Sequence, residues 1–524
     1  MLQRLFSAFM VMGLASAPVS AQTVIYVDAN ADSTPHDGSD WCHAYRELHE
    51  ALTGAGPNTI IRVADGAYQP DTTGLGNPRD ATFTLVNGVA IRGGYAGCGA
   101  PEPDQRDIAS SETILSGDIG TANVTTDNCY HVVTASGVDA SASLDGVTIA
   151  DGSGENSPSQ HWGAALYTFG ASLTVVDCTI RDNIAERGAV LNQGGAPTFI
   201  RCLFVDNYAS ASGGAMYNIG PAVTPAASVI DCVFQSNSTY AQGGAVRNYD
   251  HSPTFTGCLF EGNGAGLSGA AVANGGDFGA PVFDRCVFRQ NELNAIPYGW
   301  ACYGGAMHNE QTTAPIVTSC VFDANTAIAR PPSFSYGGAI ANSDNAQLSL
   351  INCTLVDGYA MAAGGLYNEN SATIAATSSI LWNDGTEITN TGGSVTVTYS
   401  AVEGGWPGTG NTTANPMLAA DLRPQPGSPC IDTGDPSYLP PPDVDLAGGP
   451  RVLCGRVDMG AYETGLGDYN CDQMVDLADF ANWPACMTGP DAGPYLAGCE
   501  CFDAVFDHDV DLADFAAFQG LFGP

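Results

Sequence analysis

The 524-residue chain sets 16 basic against 55 acidic residues, a net charge of −39, and every basic residue is Arg. Without Lys there is no Lys-dependent P-loop, Schiff base or Lys general base, and the acidic excess repels nucleic acid and anionic lipid. Gly (64) and Pro (31) are abundant, yet 44% of residues are apolar, so the composition is that of a turn-rich folded protein.

Residues 1–21 read as a signal peptide: Arg4, an apolar run from Leu5 to Leu14, then small Val19 and Ala21 before cleavage at Gln22. That run is too short to span a bilayer, and no later stretch reaches the roughly 18 apolar residues required. The expected protein is exported, extracellular or at the cell surface, and not an integral membrane protein. Seventeen Cys in an exported chain point to disulfides, but an odd number leaves at least one thiol free.

Residues 22–145 are expected to form an N-terminal cap and the first coils of a solenoid. Val24–Val27 reads as a strand. Trp41 to Leu52 reads as a short amphipathic helix over the open end, with Ala44, Leu48, Ala51 and Leu52 inward. Cys42 and Cys98 are candidates for a bridge there.

Residues 146–405 repeat. Cys178, Cys202, Cys232, Cys258, Cys286, Cys320 and Cys353 recur at intervals of 24, 30, 26, 28, 34 and 33 residues. Two residues after each stands a bulky apolar side chain (Ile180, Phe204, Phe234, Phe260, Phe288, Phe322, Leu355), and three further on an Asn, from Asn183 to Asn325, with Gly358 breaking the series. Ser378, Ile380 and Asn383 continue the register without Cys. Between these pieces a second signature recurs, Gly-Gly-Ala-x-x-Asn, at Gly213–Asn218, Gly243–Asn248, Gly304–Asn309 and Gly337–Asn342. Short β-branched and aromatic pieces with turn residues at a fixed period predict an all-β fold, a right-handed single-stranded parallel β-helix of about ten or more coils. Each coil is expected to hold three strands and three turns, with the Cys stacked inside as inert fillers and the Asn in hydrogen-bonded ladders. The longest turn insertions fall at Asn291–Tyr303 and Ala327–Ser335.

These motifs, with Tyr26–Asn30, Asp37–Trp41, Ile114–Gly120, Tyr130–Val133 and Leu144–Ile149, resemble bacterial secreted β-helix proteins of the pectin-lyase-like kind. The Gly-Gly-Ala-x-x-Asn and Phe-x-x-Asn signatures are similar to polymorphic outer-membrane-protein repeats. Within residues 406–465, Cys430–Gly434 and Val457–Glu463 resemble the ending called a choice-of-anchor Q domain. The resemblance implies the fold and an envelope or extracellular setting; this fold hosts lyases, hydrolases, adhesins and scaffolds.

Residues 466–524 change character and contain a duplication, Val475–Phe480 and Val510–Phe515. The twelve-residue loop Asp468–Asp479 places oxygen side chains at positions 1, 3, 5, 9 and 12: Asp468, Asn470, Asp472, Asp476 and Asp479. The second loop keeps Asp503, Asp507, Asp511 and Asp514 but has Val505 at position 3. Met474 and Asp509, at position 7, would add backbone carbonyls. This spacing suits Ca²⁺, which takes six to eight oxygens. The tail resembles a dockerin, an α-helical, EF-hand-like calcium-loop module, which implies a cohesin-like partner. Gln473 and His508 replace the Gly expected at position 6, and loop two is expected to bind Ca²⁺ more weakly. Cys471, Cys486, Cys499 and Cys501 are available to staple the module, in a connectivity the spacing leaves open.

No His pair or β-helix hydrolase motif marks a catalytic centre. Asp182, Asp206 and Asp357 share one register and are the carboxylate candidates, although Asp beside Asn is also common in turns. The expected role is a surface scaffold or adhesin, touching polysaccharide or another envelope component through Tyr217, Tyr249, Tyr303 and Tyr367. The alternative is a polysaccharide lyase or glycoside hydrolase docked through its tail.

Overall fold

The computed structural model describes residues 22–154, 162–220, 226–294, 300–330, 332–383, 385–438, 444–490, 494–496 and 498–521; the expected signal peptide lies outside them. Thr23 to Val402 form a parallel β-helix. Three long sheets, A, B and C, hold thirteen, twelve and eleven strands, and a fourth, D, holds six. One coil shows the path: Thr174–Val176 in A, Thr179–Arg181 in B, Ile184–Arg187 in D and Val190–Gln193 in C, each pairing in parallel with its counterpart one coil on.

The corners explain the periodicity. Asp177 (φ 51°) and Asp182 (φ 56°) are left-handed, as are Arg201 and Asp206, then Asp231 and Ser236, in the next coils. Each such residue costs about 1 kcal/mol, and each turns its successor, a Cys or an Asn, into the interior. The Asn then repay the strain as a ladder: from Asn183 through Asn207, Asn237, Asn263 and Asn291 to Asn325, every Nδ2 donates to the next Oδ1 at 2.8–3.1 Å. The Gly-Gly-Ala-x-x-Asn repeats build a second ladder, Asn192–Asn218–Asn248–Asn274–Asn309. Phe204, Phe234, Phe260, Phe288 and Phe322 stack between, 4.5–4.8 Å apart with planes within 6°. The seven Cys are buried and unbridged; Cys202 N–H donates to Cys232 Sγ and Cys286 N–H to Cys320 Sγ. Burial pushes the Cys178, Cys258 and Cys320 thiols up, so they stay protonated.

Three expectations are corrected. Six coils carry a fourth strand, because the residues after the ladder Asn stay extended, Tyr208 N–H donating to Asn183 O at 3.0 Å. The Cys position beyond Cys353 is filled by Ser379, not Ser378: Cys353 N–H donates to Ser379 Oγ and Leu355 pairs with Leu381, while Asn383 does end the ladder on Gly358 N–H. The N-terminal helix spans only Leu48–Gly54. Upstream, the Asp40 carboxylate caps the N–H groups of Cys42 and His43, and Tyr45 is held extended against Tyr26. Ala44, Leu48, Ala51 and Leu52 are buried as expected, and Cys42 is bonded to Cys98.

The segment after Val402 folds back along sheet B. Ala461 N–H donates to Thr354 Oγ1 and Gly460 N–H to Ser378 O, while Cys430 and Met459 pack on Ile380 and Ala401. Its two motifs lock each other: buried Asp458 accepts from Asp432 N–H and from Thr464 N–H and Oγ1, and buried Glu463 accepts from Leu453 and Asp458 N–H. Arg451, also buried, donates to Asp458 O and Gly460 O. Burial pushes Asp458 up to about 6 and Glu463 well up. The tail has short helices at Leu477–Phe480, Trp483–Cys486 and Leu512–Leu521 around Trp483, Phe502, Val510 and Phe518. Cys486–Cys499 staples it; Cys471 instead bonds Cys454, tying the first loop to the preceding segment, and Cys501 is free. Among the described residues no helix is long and apolar enough to cross a membrane.

Candidate functional site

In the sheet-C strands from Val190–Gln193 to Leu366–Asn368 a buried Asn points inward, as Thr168 does one coil earlier, so the residue before it lies on the opposite side of the sheet, where all but Tyr167 are themselves buried. These residues form one register row: Tyr167, Leu191, Tyr217, Arg247, Ala273, His308, Ala341 and Tyr367. At its centre Arg247 Nη2 meets Glu310 Oε1 at 2.6 Å across the intervening coil, with side-chain exposures of 5% and 19%. Gly275 makes this bridge possible, because a Cβ there would collide with the guanidinium. Gln242 Nε2 donates to the same Glu310 oxygen at 3.4 Å, and His308 Nε2 lies 3.1 Å from Ser343 Oγ. Arg247 Nη1 and His308 Nδ1 are buried with no hydrogen-bond partner among the described residues. Burial pushes His308 below its ordinary value, with Arg247 adding to the effect. Burial alone would raise Glu310, but the Arg247 guanidinium and the hydrogen bonds from Arg247 and Gln242 hold the carboxyl low. The centre thus has a cation, an anion and a neutral imidazole, with hydrogen-bonding capacity unfilled.

An aromatic shelf adjoins it. Tyr303 stacks on His308 at 5.2 Å and on Tyr336 at 5.1 Å, and Tyr336 meets Tyr367 at 4.5 Å. Tyr367 Oη donates to Glu369 at 2.8 Å, and burial and that carboxylate push its phenol up to about 12. Trp300, Phe334 and Tyr359 are exposed nearby in sequence, the first two carried by the two turn insertions. At the other end Arg187 lies over Trp162 and donates to Tyr217 Oη at 3.0 Å.

Of the expected tyrosines, Tyr303 and Tyr367 come together on the shelf. Tyr217 belongs to the Arg187 cluster and is buried, as is Tyr367; half-buried Tyr249 lies under Arg247. Sequence reasoning missed Arg247, His308, Glu310 and Tyr336. The available signal was the variable residue before each ladder Asn, which the two-residue period must turn outward.

The carboxylate candidates are exposed left-handed corners: Asp182 (φ 56°), Asp206 (φ 54°) and Asp357 (φ 52°). Asp182 and Asp206 lie on adjacent coils, with Asp182 paired to Arg181 at 2.8 Å, and Asp357 stands five coils further along. Asp357 instead shares a cleft of about 440 Å³ with Asp323, Trp382 and the segment 415–422. Burial and the Asp357 charge push Asp323 up. Asp323 and Trp382 were not anticipated.

The two tail loops have matching geometry. Position 12, Asp479 or Asp514, is fully buried and accepts from the N–H groups of positions 3 and 9. Position 1, Asp468 or Asp503, accepts from positions 5 and 6. Gln473 (φ 68°) and His508 (φ 71°) adopt the left-handed turn without Gly. Met474 and Asp509 at position 7 donate their N–H to Asp472 and Asp507. Asp476 and Asp511 cap the following helices through Ala478 and Ala513 N–H, and Asn470 Nδ2 donates to Asp472. Ligand oxygens of Asp503, Asp507 and Asp514 lie within 4.8 Å of one another, as do those of Asp509, Asp511 and Asp514. Burial first, then the neighbouring carboxylates, push Asp468 and Asp503 up. An all-oxygen set of crowded carboxylates fits a hard divalent cation.

No protein-family model matches the chain, and no curated protein does. Among solved structures it is similar to a pectate lyase, Pel9A, at 14% identity and TM-score 0.42, over 85% of this chain and 97% of that one. It is also similar to a rhamnogalacturonan lyase at 11% identity and TM-score 0.30, over 64% and 82%. The β-helix assignment stands on the sheet registers themselves.

Proposed function

We propose that this is an exported β-helix scaffold that binds carbohydrate along the outer face of sheet C, with a Ca²⁺-stabilised tail that docks it to a cohesin-like partner. One observation carries the first part: a stacked tyrosine row beside buried polar groups whose hydrogen bonds are unfilled. Aromatic faces take the C–H faces of sugar rings, and paired donors and acceptors take their hydroxyls. The coil rise of about 4.8 Å is close to the length of one sugar ring in an extended chain, so successive coils address successive rings. In the tail, Asp468, Asn470, Asp472, Asp476 and Asp479 would hold one Ca²⁺, and Asp503, Asp507, Asp511 and Asp514 a second. Bound Ca²⁺ would neutralise the crowded carboxylates. The test is calorimetric titration of the full chain with a panel of neutral and acidic polysaccharides. Tyr336→Ala should weaken binding by about tenfold or more, and failure to bind any of the panel would refute the proposal.

A second reading, a carbohydrate-active lyase or hydrolase, is favoured by the Asp323–Asp357 cleft with its tryptophan wall. Turnover of any polysaccharide, lost in Asp323→Asn, would establish it.

A further inference from the structure

We infer a second binding site, on the outer face of sheet D, that takes one pyranose ring of a neutral glycan lying across the rod. It is separate from the sheet-C row and stands without it. Sheet D keeps one register from coil to coil, so Tyr208, Ser238, Gly264 and Glu292 are successive partners on one face. Tyr240 and Asn294 rise from the flanking coils, and the coil between them has Gly266, where a Cβ would strike Tyr240 O. With Ala265 buried, residues 264–266 carry no side chain on this face. The bare coil floors a slot of about 280 Å³, walled by Tyr208 and Tyr240 on one side and by Glu292 and Asn294 on the other, with Arg330 beside it. These groups are reachable from solvent: Tyr240 is 44% exposed, and Glu292, Asn294 and Arg330 are exposed too.

The flanking coils are two rises apart, about 9.6 Å. A sugar ring standing in the slot fills the step that the bare coil leaves empty, about 4.8 Å from each neighbouring row. The tyrosine wall suits its C–H face. The polar groups suit its hydroxyls. Arg330 is the one Arg among the described residues whose guanidinium makes neither an ion pair nor a hydrogen bond. Glu292 accepts at Oε1 from Asn294 Nδ2 at 3.3 Å and has no partner at Oε2 among the described residues. A cation and an anion thus line one slot without pairing. A neutral ring satisfies both, one hydroxyl accepting from Arg330 and another donating to Glu292. A sugar carboxylate drawn to Arg330 would share the slot with Glu292, in a chain of net charge −39.

The full chain would be titrated calorimetrically with cellohexaose, mannohexaose and hexagalacturonate. The expected result is that a neutral hexamer binds more tightly than the galacturonate. Gly264→Val fills the slot without strain, since a Cβ there meets only Glu292 O, at 3.6 Å. That variant should lower the slot's affinity by about tenfold or more. Tyr240→Ala, at an exposed side chain, should lower it by about as much, whereas Tyr336→Ala, on sheet C, should leave it unchanged. Glu292→Gln leaves the Arg330 charge unopposed and should shift preference toward the galacturonate. Binding lost in Tyr336→Ala but kept in Gly264→Val and Tyr240→Ala, both with wild-type circular dichroism, would overturn the slot and leave the sheet-C reading standing. A wild-type preference for the galacturonate, abolished by Arg330→Gln, would overturn the neutral ligand. Binding of none of the three would remove this site and the carbohydrate reading together.

Discussion

The rod and the tail use aspartate in opposite ways. In the rod, Asp182, Asp206 and Asp357 are exposed left-handed corners whose carboxylates do little, while uncharged ladders of Asn, Phe and Cys fill the interior. In the tail, Asp479 and Asp514 are wholly buried, and Asp468 and Asp503 crowd other carboxylates. The same residue type is a backbone device in one region and, on the proposed reading, a Ca²⁺ ligand in the other. On that reading the rod is self-sufficient and the tail depends on the cation that neutralises it.

The largest expected effect separates the two regions. Chelation of divalent cations should make residues 466–524 protease-sensitive and leave residues 24–465 resistant, read as the size of the surviving fragment. Loss of the rod on chelation would end the contrast. Next in size is an interior change. Asn237→Ala strips partners from buried Asn207 Nδ2, Asn207 N–H and Phe204 O, and should cost about 3 kcal/mol or more in chemical denaturation. In the tail, Asp472→Ala should weaken Ca²⁺ binding more than Asp507→Ala, because loop two already lacks a position-3 oxygen at Val505; calorimetry on the full chain would show the order.

A smaller effect comes from pH. The folded-state value of Asp458 is raised from 3.8 to about 6, so its folded form holds a proton that the unfolded form has lost. The stabilisation is intact below 3.8 and declines as pH rises through about 6. Hydrogen-exchange protection factors in residues 430–438 and 444–463, corrected for the intrinsic pH dependence of exchange, should fall over that window. Protection that instead grew with pH would mean that Arg451 pairs with ionised carboxylates. The smallest effect is at a corner: Asp206→Gly removes the left-handed penalty and should be neutral or stabilising by up to about 1 kcal/mol, whereas Asp206→Val should destabilise.

The rod was legible because its ladders repeat locally: Cys, then an aromatic two residues on, then Asn, is a two-residue alternation broken by turns. Its fourth strand was not, since Ser238–Thr239 and Gly264–Ala265 have no strand character and pair only through the neighbouring coil. The Ser378–Ser379 pair concealed a one-residue slip. In the tail, the interacting side chains of each loop lie within twelve consecutive residues, so the loop geometry could be read directly. The Arg247–Glu310 bridge could not, because its partners are 63 residues apart and meet only through the coil period. Asp323 and Asp357 likewise share a cleft only after the segment 415–422 folds over sheet B.

The most direct measurement is titration of the full chain with the panel of neutral and acidic polysaccharides, in the presence of Ca²⁺ and then of a chelator. A carbohydrate site on the rod predicts one affinity under both conditions, even as the tail opens. Absence of binding, or binding that disappears with the metal, would contradict a carbohydrate site on sheet C.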